Sequence, residues 1–352
     1  MFNTLAESDG NLSVHLRALS DDCGILQHAH FRIPDRDHGY CTDDNARGLL
    51  FLLRLSQVRK LDESEERLLN ACVAFLDHAL DGETNRFRNF MGYDRRFCDD
   101  AFHEDAHARA VWALGEAMAM RAADPMGLWA RNLFDRCVLD LPSLGGPRAW
   151  AYCALGLLAA LQAEPRWTEG QDVLCALAAK LQQRWNDAAK PDWPWFEDGL
   201  AYDNARLSEA ALRLGAYQHD PQLTEAGLQS LDALWKWQDE GGVFAPVGHE
   251  TFGRNRREPA RFDQQPLEAL AMLEAALAAF DVTREAHWRT RAVAAWRWFH
   301  GENMLGLALA VPEIGLCHDG LQPDGVNANA GAESTLSYVL AEVAAVVAGL
   351  AA

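Results

Sequence analysis

The sequence predicts an all-α fold, an (α/α)6 toroid formed as a single domain over residues 1–352, with short β-hairpins in its loops. Three observations predict it. First, a polar cluster recurs at the start of apolar runs. Asp44-Asn45-Ala46-Arg47 and Asp203-Asn204-Ala205-Arg206 are the same tetrapeptide, each placed after a tyrosine, and Asp105-Ala106-His107-Ala108-Arg109 is a looser copy. Pro147-Arg148-Ala149-Trp150, Phe262-Asp263-Gln264-Gln265 and Asn329-Ala330-Gly331-Ala332-Glu333-Ser334 open three further runs, which makes six clusters 40 to 70 residues apart. Second, the runs they open are apolar nearly all round, which marks helices buried on every side, whereas the segments between them are amphipathic. Third, strand signals are few. Alternating buried and half-buried helices are accommodated by an inner ring wrapped by an outer one, and six such pairs close a toroid.

Taken in order, the elements fit this scheme. Asp43-Asp44 opens the first inner helix. Asp62 to Asp81 places Leu68, Cys72, Phe75, Leu76 and Ala79 on one face and charges on the other, an outer helix. Residues 85–98 suit a short hairpin. The second inner helix follows Asp105, and 124–140 reads as outer. Ala149 to Leu161 is the third inner helix and 167–187 its partner. The fourth begins at Asp203, with 221–238 behind it. The aromatic-rich stretch 240–262 suits another hairpin. Leu267 to Phe280 is the fifth inner helix, and Trp288, Ala292, Ala295, Trp296 and Phe299 mark an outer one. Leu336 to Ala352 is the sixth. Eleven helices are legible; the twelfth, an outer one, has to come from residues 11–20. Gly and Pro cluster at 142–147, 191–199, 240–248 and 312–325, the loops that lead into inner helices.

Composition narrows the function classes. The chain has 352 residues, 49% hydrophobic and 24% charged, with a formal net charge of -19. That surface repels nucleic acid and anionic membranes, so neither is an expected partner. Eight cysteines lack CxxC spacing, and Cys72, Cys137, Cys153 and Cys175 fall in helical apolar faces, the pattern of small buried hydrophobes in a reducing compartment. Residues 1–14 show no basic and apolar signal pattern, and the apolar stretch from Leu336 is short for a bilayer span and contains Glu342. A cytoplasmic protein is the expectation.

If the inner helices enter one core in parallel, their polar N-termini gather on one face. An Asp there is also a good N-cap, but capping does not require the Asn-x-Arg that follows. Asp44 and Asp105 are the leading acid/base candidates, with Asp43, Asp203 and Glu333 as alternates; Glu333 also suits first-turn capping. Arg47 and Arg206 sit three residues beyond their aspartates, near the same helix face, able to pair with them or to bond sugar hydroxyls. Tyr40, Arg109, His107, Asp263 and Gln264 complete the expected substrate-binding set, with Trp195, in Pro194-Trp195-Phe196-Glu197-Asp198, as a stacking platform for a sugar ring or, equally, a core residue. His318-Asp319-Gly320 and Asn327 to Glu333 add amides and carboxylates before the last helix.

His103-Glu104-Asp105-Ala106-His107 matches H-E-x-x-H, a zinc pattern when it lies inside a helix. Here it sits at a helix start without a marked third ligand, and a polar substrate cluster is the preferred reading, so no metal or cofactor is expected. There is no dinucleotide, P-loop or nucleophile-elbow motif. Carboxylates, aromatics and amides remain, the residue set of carbohydrate chemistry.

Tyr40-Cys41-Thr42-Asp43-Asp44-Asn45-Ala46-Arg47, Asp105-Ala106-His107-Ala108-Arg109, Tyr202-Asp203-Asn204-Ala205-Arg206, Asp263-Gln264-Gln265-Pro266 and Gly331-Ala332-Glu333-Ser334-Thr335 together resemble a bacterial family that occurs alone or fused to glycosyltransferases and is labelled glycosyltransferase or glycosidase-like. The resemblance spans about residues 25–350 and implies the six-hairpin glycosidase type of toroid. The chain lacks the βαβ pattern of a nucleotide-sugar transferase. The expected function is a carbohydrate-active enzyme, most simply a glycoside hydrolase with a carbohydrate ligand. The alternatives are a sugar epimerase or lyase on the same fold, or a non-catalytic glycan-binding module partnering a glycosyltransferase.

Overall fold

The computed structural model describes residues 12–248, 252–253 and 258–350. Twelve α-helices are found among them. After the short α1 (Val14–Ala18) come α2 (Thr42–Val58), α3 (Glu63–Ala79), α4 (Glu104–Met120), α5 (Pro125–Cys137), α6 (Pro147–Ala163), α7 (Thr168–Ala188), α8 (Ala205–Gln218), α9 (Pro221–Trp237), α10 (Pro266–Thr283), α11 (Ala286–Trp298) and α12 (Ala332–Val347). The even-numbered helices pack each on the next, and α12 packs back on α2, so the inner ring is closed. The odd-numbered helices lie outside it. The architecture is the (α/α)6 toroid.

Local sequence explains where helices start. Asp62 makes a capping box with Glu65 at the head of α3, and Asp124 and Asp220 cap α5 and α9 just before a proline at the first helical position. The inner helices are capped less simply. Asp203 and Asp263 stand in left-handed backbone (φ 46° and 60°), which aspartate tolerates better than most residues, and each precedes its helix by two or three positions. The ring also requires close helix approach. A Cβ on Gly115 of α4 would lie 2.0 Å from the Gly156 carbonyl oxygen of α6, so the two helices touch backbone to backbone.

The twelfth helix does come from residues 11–20, but as the five-residue α1, which packs against α12 and α3. Among the described residues, five two-stranded antiparallel ribbons decorate the loops: β1 (Ala29–His30) with β2 (Ile33–Pro34), β3 (Tyr40–Cys41) with β4 (Phe90–Met91), β5 (Asp239–Glu240) with β6 (Val243–Phe244), β7 (Ala310–Val311) with β8 (Leu316–Cys317), and β9 (Leu321–Gln322) with β10 (Gly325–Val326). The hairpin expected within 85–98 is therefore only partly local: Met91 bridges Phe97, but β4 pairs with β3, fifty residues earlier, and so ties the loop after α3 to the start of α2. In 240–262 the ribbon is confined to the first residues, and 249–251 and 254–257 fall outside the described residues.

Cys72, Cys137 and Cys153 are buried as expected, but Cys175 is exposed, on the solvent side of α7. No helix among the described residues is long and apolar enough to cross a membrane.

Candidate active site

The N-termini of the inner helices share one face, and a cavity of about 330 Å³ opens there. The start of α2 supplies Cys41, Asp43 and Asp44; the start of α12 supplies Gly331, Glu333 and Ser334; Gln265 comes from the head of α10. Loops complete the wall with Gln27, His28, Asn89, Phe90 and Asp319. Asp319 accepts the Gly331 N–H at 2.7 Å, which fixes the backbone ahead of Glu333.

Arg47 organises the acidic groups. One guanidinium nitrogen lies 2.5 Å from Asp43 Oδ2 and 3.1 Å from Asp44 Oδ1, and the other donates to Glu333 Oε2 at 2.7 Å. Asp43 is held from the opposite side by Arg109, whose Nε donates to Oδ1. Burial raises the Asp43 pKa, but Arg109 and Arg47 outweigh it and hold the carboxyl below the usual range, so it is ionised. Asp44 has the opposite balance. Burial pushes it up to about 7; Arg47 opposes the rise, while Asp43 and Glu333 add to it. Its remaining oxygen receives the Cys41 thiol at 3.1 Å. Glu333 is the open member, with its side chain 43% exposed.

Behind the cavity the charges continue down the barrel. Arg109 donates to the Tyr152 hydroxyl at 2.7 Å and approaches Asp203 at 3.3 Å, and Tyr152 donates to Asp203 at 2.6 Å. Arg206 lies 3.3 Å from Asp203 and 2.6 Å from Glu209, and pairs with Glu274. Glu274 and Glu116 both hold Arg54 at 2.5 Å. Acids and arginines thus alternate from Glu333 to Glu116. Single buried charges are costly, and each here is offset by opposite neighbours and hydrogen bonds. Acids outnumber arginines, and protons make up part of the difference. Burial raises Asp105 to about 6 against the pull of Arg109. Burial, with Asp203, raises Glu268 to about 7, although Asn204 donates to it.

The structure separates the sequence-derived candidates. Asp43, Asp44 and Glu333 line the cavity, with Arg47 joining them. Arg109 and Asp203 lie one layer beneath. Asp105, at the head of α4, is not among the lining residues. Six substrate-binding candidates fall elsewhere. Trp195 is fully buried and packs against Phe196 and Trp237, so core packing replaces the stacking role. Arg206 is enclosed by Asp203, Glu209 and Glu274, too deep to meet a ligand at the cavity mouth. Gln264 is buried and braces loops, accepting the Trp298 indole N–H and donating to the Arg261 carbonyl. Asp263 serves the turn before it. The Tyr40 hydroxyl donates to Asp21 at 2.6 Å, away from the lining set.

His107 is likewise interior: its Nδ1 lies 3.2 Å from the Phe87 N–H between the rings of Phe87 and Phe102, and burial lowers its pKa to about 4. A neutral, packed imidazole accounts for the second histidine of the H-E-x-x-H pattern, and Glu104 accepts the Gly145 and Gly146 N–H groups. Among the described residues no group of three or more His, Cys, Asp or Glu is placed to hold a metal ion.

Sequence reasoning missed His28, Asn89 and the Cys41 thiol. His28 is an exposed residue of the cavity wall with its ring 4.7 Å from that of His38, and desolvation first, then His38, lowers its pKa. Only the position of Cys41, two residues ahead of the Asp pair, offered a signal.

No family model matches the chain, and no curated protein matches it. Solved structures do. A sugar epimerase from a ruminal bacterium superposes with a TM-score of 0.74 at 12% identity, over 98% of this chain and 99% of that one. The cellobiose 2-epimerase of Spirochaeta thermophila gives 0.71 at 14%, over 99% and 96%. An inactive variant of an alpha-1,6-mannanase from Salegentibacter, changed at two consecutive aspartates and bound to alpha-1,6-mannotetrose, gives 0.64 at 13%, over 98% and 99%. At such identities the likeness establishes the fold: this chain shares the toroid of these sugar-acting enzymes along essentially its whole length.

Proposed function

We propose that this protein is a carbohydrate-active enzyme and that it hydrolyses glycosidic bonds, with Asp44 as proton donor. The observation that carries the reading is the pair of adjacent carboxyls in the cavity wall, both held by Arg47 and facing Glu333 across it, with Asp44 pushed up to about 7 by burial and Asp43 held below the usual range by Arg109 and Arg47. Two carboxyls driven to opposite protonation states are what acid-assisted glycoside cleavage requires. In this scheme Asp44 gives its proton to the leaving oxygen as the anomeric C–O bond breaks. Asp43, with both oxygens held by arginines, stays charged and stabilises the positive sugar ring electrostatically. Water adds to the anomeric carbon and loses its proton to the open oxygen of Glu333. The consecutive aspartates altered in the inactive, mannotetrose-bound mannanase support the same role for a vicinal pair.

A second reading, sugar epimerisation, is favoured by one observation: His28 is a cavity-lining imidazole whose lowered pKa keeps it neutral and able to take a proton from carbon. The two epimerases of the same fold support it.

A panel of di- to tetrasaccharides, including alpha-1,6-mannosides and cellobiose, tests both. Hydrolysis releases reducing ends that vanish in Asp44→Asn while binding persists. Epimerisation in D2O would leave chain length unchanged and place deuterium on the sugar carbon. Binding without either change would return the protein to a non-catalytic glycan-binding role.

A further inference from the structure

Cys41 occupies the N-cap position of α2, where serine, threonine, aspartate or asparagine is usual. Its sulfur accepts the Asp44 N–H at 3.4 Å, the bond an N-cap oxygen would take. The same sulfur carries a hydrogen to Asp44 Oδ2 at 3.1 Å. The two residues therefore hold each other twice, through a backbone N–H and through a side-chain carboxyl, and the thiol is buried in the cavity wall.

Every other charged group facing Asp44 is shared. Arg47, its only cationic partner among the described residues, also serves Asp43 and Glu333, and Arg109 from α4 goes to Asp43, Tyr152 and Asp203. Asp43 from α2 and Glu333 from α12 repel a charge on Asp44, and the cavity wall adds His28 and Asp319. Among the described residues, the Cys41 thiol is the one side-chain partner given to Asp44 alone. A thiol is a weak donor, whereas a hydroxyl in the same place would donate strongly and favour the ionised carboxylate.

We propose that Cys41 is a positioning residue for Asp44: its thiol fixes the carboxyl against α2 while donating too weakly to draw off its proton. This rests on the reading of Asp44 as proton donor, but its first test does not need turnover. The Asp44 carboxyl is titrated by 13C NMR in wild type, Cys41→Ser and Cys41→Ala, with Asp44→Asn identifying the resonance. Serine retains the cap, so Cys41→Ser folds, which thermal melting checks. The Asp44 midpoint is expected to fall by about one unit in Cys41→Ser and to rise in Cys41→Ala. An unchanged or raised midpoint in Cys41→Ser overturns the proposal. The alkaline limb of kcat/KM, measured on any substrate found, should move down with the Cys41→Ser midpoint. If the midpoint moves and the limb does not, Cys41 tunes Asp44 but Asp44 is not the donor.

Discussion

Asp43 and Asp44 are consecutive residues whose carboxyls are shifted in opposite directions: two arginines hold Asp43 below the ordinary carboxylate range, while burial lifts Asp44 to about 7. If Asp44 must carry a proton to act as donor, kcat/KM should fall as pH rises through about 7. A pH–rate profile from 4 to 9 checks this. An alkaline limb unaffected by Asp44→Glu would assign the ionisation to another group.

The same shift bears on stability. A carboxyl whose folded pKa is raised keeps its full native contribution below its unfolded value and loses it as pH rises through the folded one. Asp44→Asn should therefore be more stable than wild type at pH 7–8, by at most about 4 kcal/mol at 1.36 kcal/mol per unit. The gap should close toward pH 4. Urea denaturation at both pH values measures it, and a mutant less stable at pH 8 would refute the buried, reluctant acid.

Tyr152 links Arg109 to Asp203 beneath the cavity. Tyr152→Phe leaves Asp203 short of a donor in a dry interior, a loss of about 1–3 kcal/mol. Arg109→Ala removes a buried charge between two aspartates and should cost about 3–5 kcal/mol. Both are read from denaturation midpoints, and Arg109→Ala should also raise the Asp43 pKa, seen in a 13C NMR titration of its carboxyl.

Trp195 separates packing from recognition. Trp195→Ala should cost about 3–5 kcal/mol through the cavity it leaves. Trp195→Phe should leave glycan affinity unchanged, because the indole does not reach the cavity. A tenfold loss of affinity in a well-folded Trp195→Phe, measured by calorimetry, would restore the stacking role.

Gly115→Ala should block the α4–α6 contact, since the new Cβ meets backbone with no side chain able to yield. Overpacking of this kind is expected to cost about 1–3 kcal/mol or more, with a lowered Tm and a population that fails to fold in expression trials.

The ring was legible because it is written twice, in polar clusters at helix starts and in the contrast between all-round apolar and amphipathic runs. Asp43, Asp44 and Glu333 were legible for the same reason: a helix start fixes which end of the ring a residue occupies. Side-chain direction was not. Trp195 and Gln264 belong to conspicuous segments near the right face, yet they turn inward, because loops before inner helices need their own small cores. His28 and Asn89 were invisible, since loops with no periodicity carry them and the β3–β4 pairing and the ring closure bring them to the cavity. Arg206 kept its motif but not its depth: the second Asp-Asn-Ala-Arg serves the buried charge chain, whereas the first serves the cavity.

Arg47 meets Glu333 across 286 residues of chain. During synthesis the acid that completes the arrangement is added 286 residues after the arginine it meets. Until α12 docks between α10 and α2, the growing protein is an open arc with two bare inner flanks, and closure at such separation is slow. The cavity wall is finished only by the event that seals the ring, so the packing that closes the fold is also what brings Glu333 to the aspartate pair.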